Sequence, residues 1–137
     1  QQRQRAKMSV VEKNIADLKA LLDAYMAGDV EKFMAGIDED FKGDILNGLV
    51  PAAENIVGKA GFQAIAGDME NSIEVKKYKP YDFCGVGDNV FFNVDWEFVY
   101  KPTGKTVACT AIVQKVMKDS KICEKYHRAN TPPIVND

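Results

Sequence analysis

The chain has 137 residues, a net charge of −2, 46 % hydrophobic residues and 28 % charged residues. That length fits one domain, and the composition is too apolar for a disordered chain. The balanced charge and the sparse lysines at Lys76-Lys77 and Lys115-Lys118 exclude a nucleic-acid footprint, and no apolar run reaches the ~20 residues that span a bilayer.

Residues 1–8 form a basic extension. Gln1-Gln2-Arg3-Gln4-Arg5-Ala6-Lys7 lacks acids, and reads either as the remnant of an organelle targeting peptide or as a stretch with no targeting role. Val11, Ile15, Leu18, Leu22 and Tyr25 then recur at steps of three and four, which predicts an amphipathic helix from Ser9 to Ala27. Ser9 and Glu12 have the spacing of a capping box, and Gly28 suits the left-handed position beyond the last turn. Asp29 caps a second helix carrying Phe33, Met34 and Ile37, which Asp38-Glu39-Asp40 ends. Phe41 to Val50 reads as an irregular hairpin or loop, and Pro51 to Val57 as one helical turn. Gly58 and Gly61 flank the start of a third helix with Phe62, Ile65, Ala66 and Met69 on one face.

From Ile73 the period changes to two. Ile73–Cys84 reads as a strand whose Pro80 points to an edge or a bulge, and residues 85–89 as a turn. In Val90–Tyr100, Phe92, Val94, Trp96, Phe98 and Tyr100 share one face, while Asn93, Asp95 and Glu97 share the other. Thr106–Met117 and Ile122–Arg128 follow as strands, separated by the turns Lys101–Gly104 and Lys118–Lys121. Residues 131–137 are an aperiodic tail. The order predicts one α+β domain over residues 9–130: a curved antiparallel sheet whose apolar face wraps three leading helices into a cone.

Three stretches carry a resemblance. Asp23-Ala24-Tyr25-Met26-Ala27-Gly28-Asp29 with Phe33 and Asp40-Phe41 resembles the opening of the SnoaL-like polyketide cyclases and ketosteroid isomerases, within the nuclear transport factor 2-like superfamily. Residues 57–65 resemble the entry to their third helix, and Lys121-Ile122-Cys123-Glu124-Lys125-Tyr126-His127 their last strand. Residues 126–132 are also similar, more weakly, to the close of the calcium/calmodulin kinase association domain, an oligomeric hub without chemistry. The resemblance implies a cone that binds a small apolar or aromatic molecule and a homodimer formed through the sheet. The competing expectation is a scaffold module within a larger complex.

An isomerase of this kind needs a carboxylate base and a tyrosine donor. By the resemblance those positions fall on Ile45 and Leu21, which can do neither, and Asp44 lies one residue away from the base position. Cyclase relatives use an acid/base residue from the sheet, and His127 occupies a position where they often carry an acid. A histidine shuttles protons near neutral pH, although a lone one more often bonds at a sheet rim. The candidate catalytic residues are therefore His127, Asp44 and Tyr126. Strand alternation sets His127 with Cys123 and Lys125, and Tyr126 with Ile122, Glu124 and Arg128, and leaves open which set faces the pocket. Candidate ligand-binding residues are Trp96, Tyr78, Tyr81 and Phe92, together with Glu124 and Arg128 as an ion pair that would orient a carboxyl group. Cys84, Cys109 and Cys123 form no CxxC pair, and Asp95 and Glu97 lack His or Cys company, so neither metal nor organic cofactor is expected. The odd cysteine count points to reduced thiols in the cytoplasm or an organelle lumen.

Overall fold

The computed structural model describes residues 9–44 and 56–129, with side chains as far as Tyr126 in the last strand. The basic extension, the region read as a loop beyond Asp44, most of the expected turn at Pro51–Val57 and the tail lie outside the described residues, as do the side chains of His127 and Arg128.

Helix α1 spans Val10–Met26. Its cap is the one its sequence encodes: Ser9 Oγ accepts the Glu12 N–H at 3.1 Å and donates to the Glu12 carboxylate at 3.1 Å. Gly28 adopts φ 80° beyond its end, where a side chain would be strained. Asp29 accepts the Lys32 N–H at 3.1 Å and starts α2, Val30–Ala35. This helix is shorter than its sequence suggests. Ile37 and the acidic triplet Asp38-Glu39-Asp40, expected at its end, instead form strand β1, Ile37–Gly43. A tertiary contact overrides the local preference: the Ile122 N–H donates to the Gly36 carbonyl at 2.7 Å, and Ile37 pairs with Ile122. Ile56–Val57, expected in a helical turn, is strand β2, and α3 follows over Lys59–Ser72 with Phe62 and Met69 buried.

Strands β3 (Ile73–Val86), β4 (Asn89–Tyr100), β5 (Lys105–Lys118) and β6 (Lys121–Ala129) form an antiparallel meander. The first hairpin turn is tighter than expected, with Gly85 still in β3. The sheet order is β2-β1-β6-β5-β4-β3. It is mixed rather than purely antiparallel, because β1 runs parallel to β6. β3 is an edge strand with two register shifts, consistent with Pro80 inside it.

The alternation in β4 decides the architecture. Val90, Phe92, Val94, Trp96 and Phe98 are all buried, with Trp96 6 % exposed, while the residues between them are half-buried. Their face meets Leu18, Leu21 and Leu22 of α1, Phe62 and Met69 of α3, and Phe41 of β1 in one core. The stripe therefore curves beneath the helices, as the sequence predicts. The hairpin between β5 and β6 turns through Asp119 and Ser120, both at positive φ, and is tied to α1: Lys13 Nζ donates to Ser120 Oγ, which donates to Asp17, each at 2.9 Å. No helix among the described residues is long and apolar enough to cross a membrane.

Candidate functional site

The inner face of β5 reads Val107, Ala111, Val113, Lys115 and Met117, all buried. Lys115 is the exception in chemistry, not in burial, at 5 % exposed. Its Nζ stands 5.9 Å from the centre of the Phe92 ring on β4 and 6.0 Å from that of Phe33 on α2. Across the ladder Lys115 pairs directly with Lys125 of β6, so both lysines project to the same side.

On the far side of Lys125 lies the end of β1. Gly43 pairs with Lys125, and the Asp44 N–H donates to the Lys125 carbonyl at 3.0 Å. Gly43 sits at φ 143°, and a Cβ there would collide with that carbonyl. The missing side chain brings Asp44, 5 % exposed, against Lys125.

Burial strips water from both amines and disfavours their cations. Desolvation, with the neighbouring Lys125 charge, pulls Lys115 down from 10.5 to about 7. Desolvation pulls Lys125 down to about 8, and Asp44 acts in the opposite direction. Lys115, buried beside two aromatic rings, thus adjoins the half-buried Lys125 and its neighbour Asp44, and both amines are shifted toward neutral pH.

The structure places the sequence-derived candidates in three groups. Asp44 is buried and joins the lysines. Phe92 and Trp96 line the interior, and Tyr78 packs edge-on between Tyr25 and Trp96 at centroid distances of 5.9 and 6.3 Å. Burial pushes the Tyr78 hydroxyl well above the ordinary tyrosine range. Tyr81, Tyr126 and Glu124 stand on the outer face. Tyr81 donates to Asp95 at 3.0 Å, a bond that raises its pKa, and Tyr126 donates to Glu124 at 2.6 Å. The backbone of His127 pairs with Val113 and that of Arg128 with Ile112. Neither alternation set of β6 turns inward as a whole: Ile122 of one set and Lys125 of the other both face the interior, because the register shifts between them.

Phe33, Phe41, Phe62, Phe92, Trp96 and Phe98 occupy much of the interior. An open groove of about 580 Å³ lies at its border between α1 and β3, walled by Ile15, Leu22, Met26, Tyr78 and Phe83. A second depression of about 410 Å³ lies on the outer face beside Lys77, Asp95 and Glu97. Among the described residues no three His, Cys, Asp or Glu side chains come together as metal ligands. Sequence reasoning passed over Lys115 and Lys125. The signal for the first was present: Lys115 falls on the same parity as Val107, Ala111, Val113 and Met117.

Three helices held in a curved six-stranded sheet have close structural parallels. An NTF2-like protein from Burkholderia xenovorans superposes with a TM-score of 0.77, at 22 % identity, over 91 % of this chain and 94 % of its own. The chain has the nuclear transport factor 2-like fold. Within that fold it is also similar to TerC, solved with polyporic acid (TM-score 0.70, 19 % identity, 83 % of this chain and 88 % of that one). A Mesorhizobium loti protein assigned as a SnoaL-like polyketide cyclase gives 0.69 at 17 % identity, over 88 % of this chain and 98 % of that one. No family model and no curated protein matches the sequence.

Proposed function

We propose that this NTF2-like cone binds a small apolar or aromatic molecule and performs acid/base chemistry on it, as an isomerase or cyclase without metal or organic cofactor. The observation that carries the reading is the Lys115–Lys125–Asp44 constellation inside an aromatic interior. A core serving stability alone gains nothing from two adjacent amines, whereas proton transfer near neutral pH needs groups whose two protonation states lie close in energy. His127, two residues beyond Lys125 in β6, belongs to the same reading as a second proton carrier. Likeness to a protein crystallised with polyporic acid supports the capacity of the fold to take an organic ligand.

Thermal shift against a panel of aromatic and terpenoid compounds tests the reading. Supporting compounds raise the melting temperature of the wild type, and Asp44→Asn or Lys115→Met weakens that rise. If no compound stabilises the wild type, the reading fails.

A second reading rests on the outer face, where Ile112 is 56 % exposed in mid-strand. It makes that face the interface of a homodimer or of a larger complex. Sedimentation of the wild type against Ile112→Lys decides it: a dimer that becomes a monomer supports it, and a monomeric wild type removes the homodimer.

A further inference from the structure

We propose that Lys115 is a nucleophile that condenses with a carbonyl compound in the cone to form an imine, with Lys125 as its proton partner. This rests on the reading of the interior as a ligand site and goes further by naming the substrate class, an apolar aldehyde or ketone.

Nucleophilic lysines are activated by an apolar pocket or by a neighbouring cation, and Lys115 has both. The Phe33 and Phe92 rings supply the apolar walls, and Lys125 directly across the ladder supplies the cation. Among the described residues, the buried sides of α1 and β4 carry no carboxylate. The buried side of α1 presents Asn14, Leu18, Leu21, Leu22 and Ala24, and that of β4 is wholly apolar. The carboxylate of Asp44 acts on Lys125, which keeps that second amine protonated to higher pH than Lys115. The desolvated state of Lys115 agrees with this geometry, since a large fraction of the amine is neutral at physiological pH. One wall beside the amine is lightly packed: Phe33 is half-buried on α2, a six-residue helix with no fully buried side chain.

The chemistry balances without an outside oxidant or reductant. The Lys115 nitrogen lone pair forms a bond to the carbonyl carbon, and the carbonyl π pair moves onto oxygen. The oxygen takes a proton from the Lys125 ammonium, while a proton leaves the new C–N nitrogen and returns to the Lys125 amine, giving a carbinolamine. Nitrogen then expels that oxygen as water, protonated again by Lys125, and a protonated imine remains. Such an imine withdraws electrons from the adjacent carbon, whose proton a carboxylate such as Asp44 can accept. Hydrolysis reverses the first steps and frees the lysine.

Reductive trapping tests this. The full chain is incubated with cinnamaldehyde and sodium cyanoborohydride, and the secondary amine is located by intact mass and peptide mapping. At pH 7 exposed lysines, with pKa about 10.4, are almost fully protonated, so Lys115 is expected to carry about tenfold or more label than any exposed lysine, and more than Lys125. The trapping rate is expected to rise with pH and level off above about 8, following the neutral fraction of an amine that titrates near 7. Lys115→Met, checked for native circular dichroism, should lose the adduct. Lys125→Met should retain the site of labelling and alter its pH profile. Label spread evenly over the lysines, or no label at Lys115 in folded wild-type protein, overturns the proposal. If compounds still stabilise the protein in the thermal-shift panel when no adduct forms, the imine is lost and the ligand-binding reading stands. If neither occurs, both are lost.

Discussion

Replacing Lys115 with Met should make the protein more stable, and more so at low pH. Met has nearly the length of the lysine stem, no charge and enough flexibility to fill the same channel between Phe33 and Phe92. The magnitude follows from linkage. In the unfolded chain the amine titrates near 10.5, and in the folded protein at about 7. Below pH 7 both states hold the proton, and the folded state bears the full cost of a buried cation. Between pH 7 and 10.5 the unfolded chain binds more protons than the folded one, so stability rises with pH across that window. The displacement corresponds to about 5 kcal/mol at its limit, and relaxation around the amine reduces the realised gain to about 2–3 kcal/mol. Urea unfolding at pH 6, 8 and 9.5 measures it. Wild type should gain stability over that series, whereas Lys115→Met should start higher and show a flatter profile. A variant less stable than wild type at pH 6, or one with an unchanged pH slope, would refute the burial of a costly cation at this position.

Two further substitutions probe the frame that holds the site. Gly43→Ala places a Cβ against the Lys125 carbonyl at a backbone angle that disfavours side chains, and should cost about 2–4 kcal/mol in urea unfolding; a neutral result would mean that β1 and β6 are not in close approach there. Ser9→Ala removes the cap of α1 and should cost about 1 kcal/mol, read as a lower urea midpoint with an unchanged slope.

Wherever local chemistry sets the structure, the sequence is legible. Ser9, Gly28 and Asp29 mark helix ends because each satisfies or permits a specific backbone group, and those groups are within four residues. The β4 stripe is legible because burial of one sheet face imposes a period of two that no helix tolerates. The segment Ile37–Gly43 is not legible in the same way. Three acids in a row read as a helix end or a loop, and what makes them a strand is a parallel neighbour, β6, more than 80 residues later in the chain. The site divides along the same line. Asp44, Phe92 and Trp96 were identifiable from motif and parity, and Lys115 was identifiable from parity alone once a charged residue on an apolar face is treated as a signal. Lys125 was not, because its inward position depends on an irregularity in its own strand.

That irregularity is the key step between the fold and its chemistry. Strict alternation in β6 sets Ile122 with Glu124 and Tyr126, so a regular strand that buried Ile122 would turn Lys125 outward. The register instead shifts at Cys123: Met117 pairs with Ile122, yet Val116 pairs with Glu124 and Lys115 with Lys125. One extra residue reverses the parity, burying Ile122 against the helices and still aiming Lys125 inward beside Lys115, while Glu124 and Tyr126 bond to each other outside. A chain under selection for packing alone has no use for this arrangement, since it spends a ladder pairing to bring two positive charges together in an apolar interior. Two amines that both change protonation near neutral pH are costly for stability and suited to moving a proton, and the bulge at Cys123 is the structural element that sets them side by side.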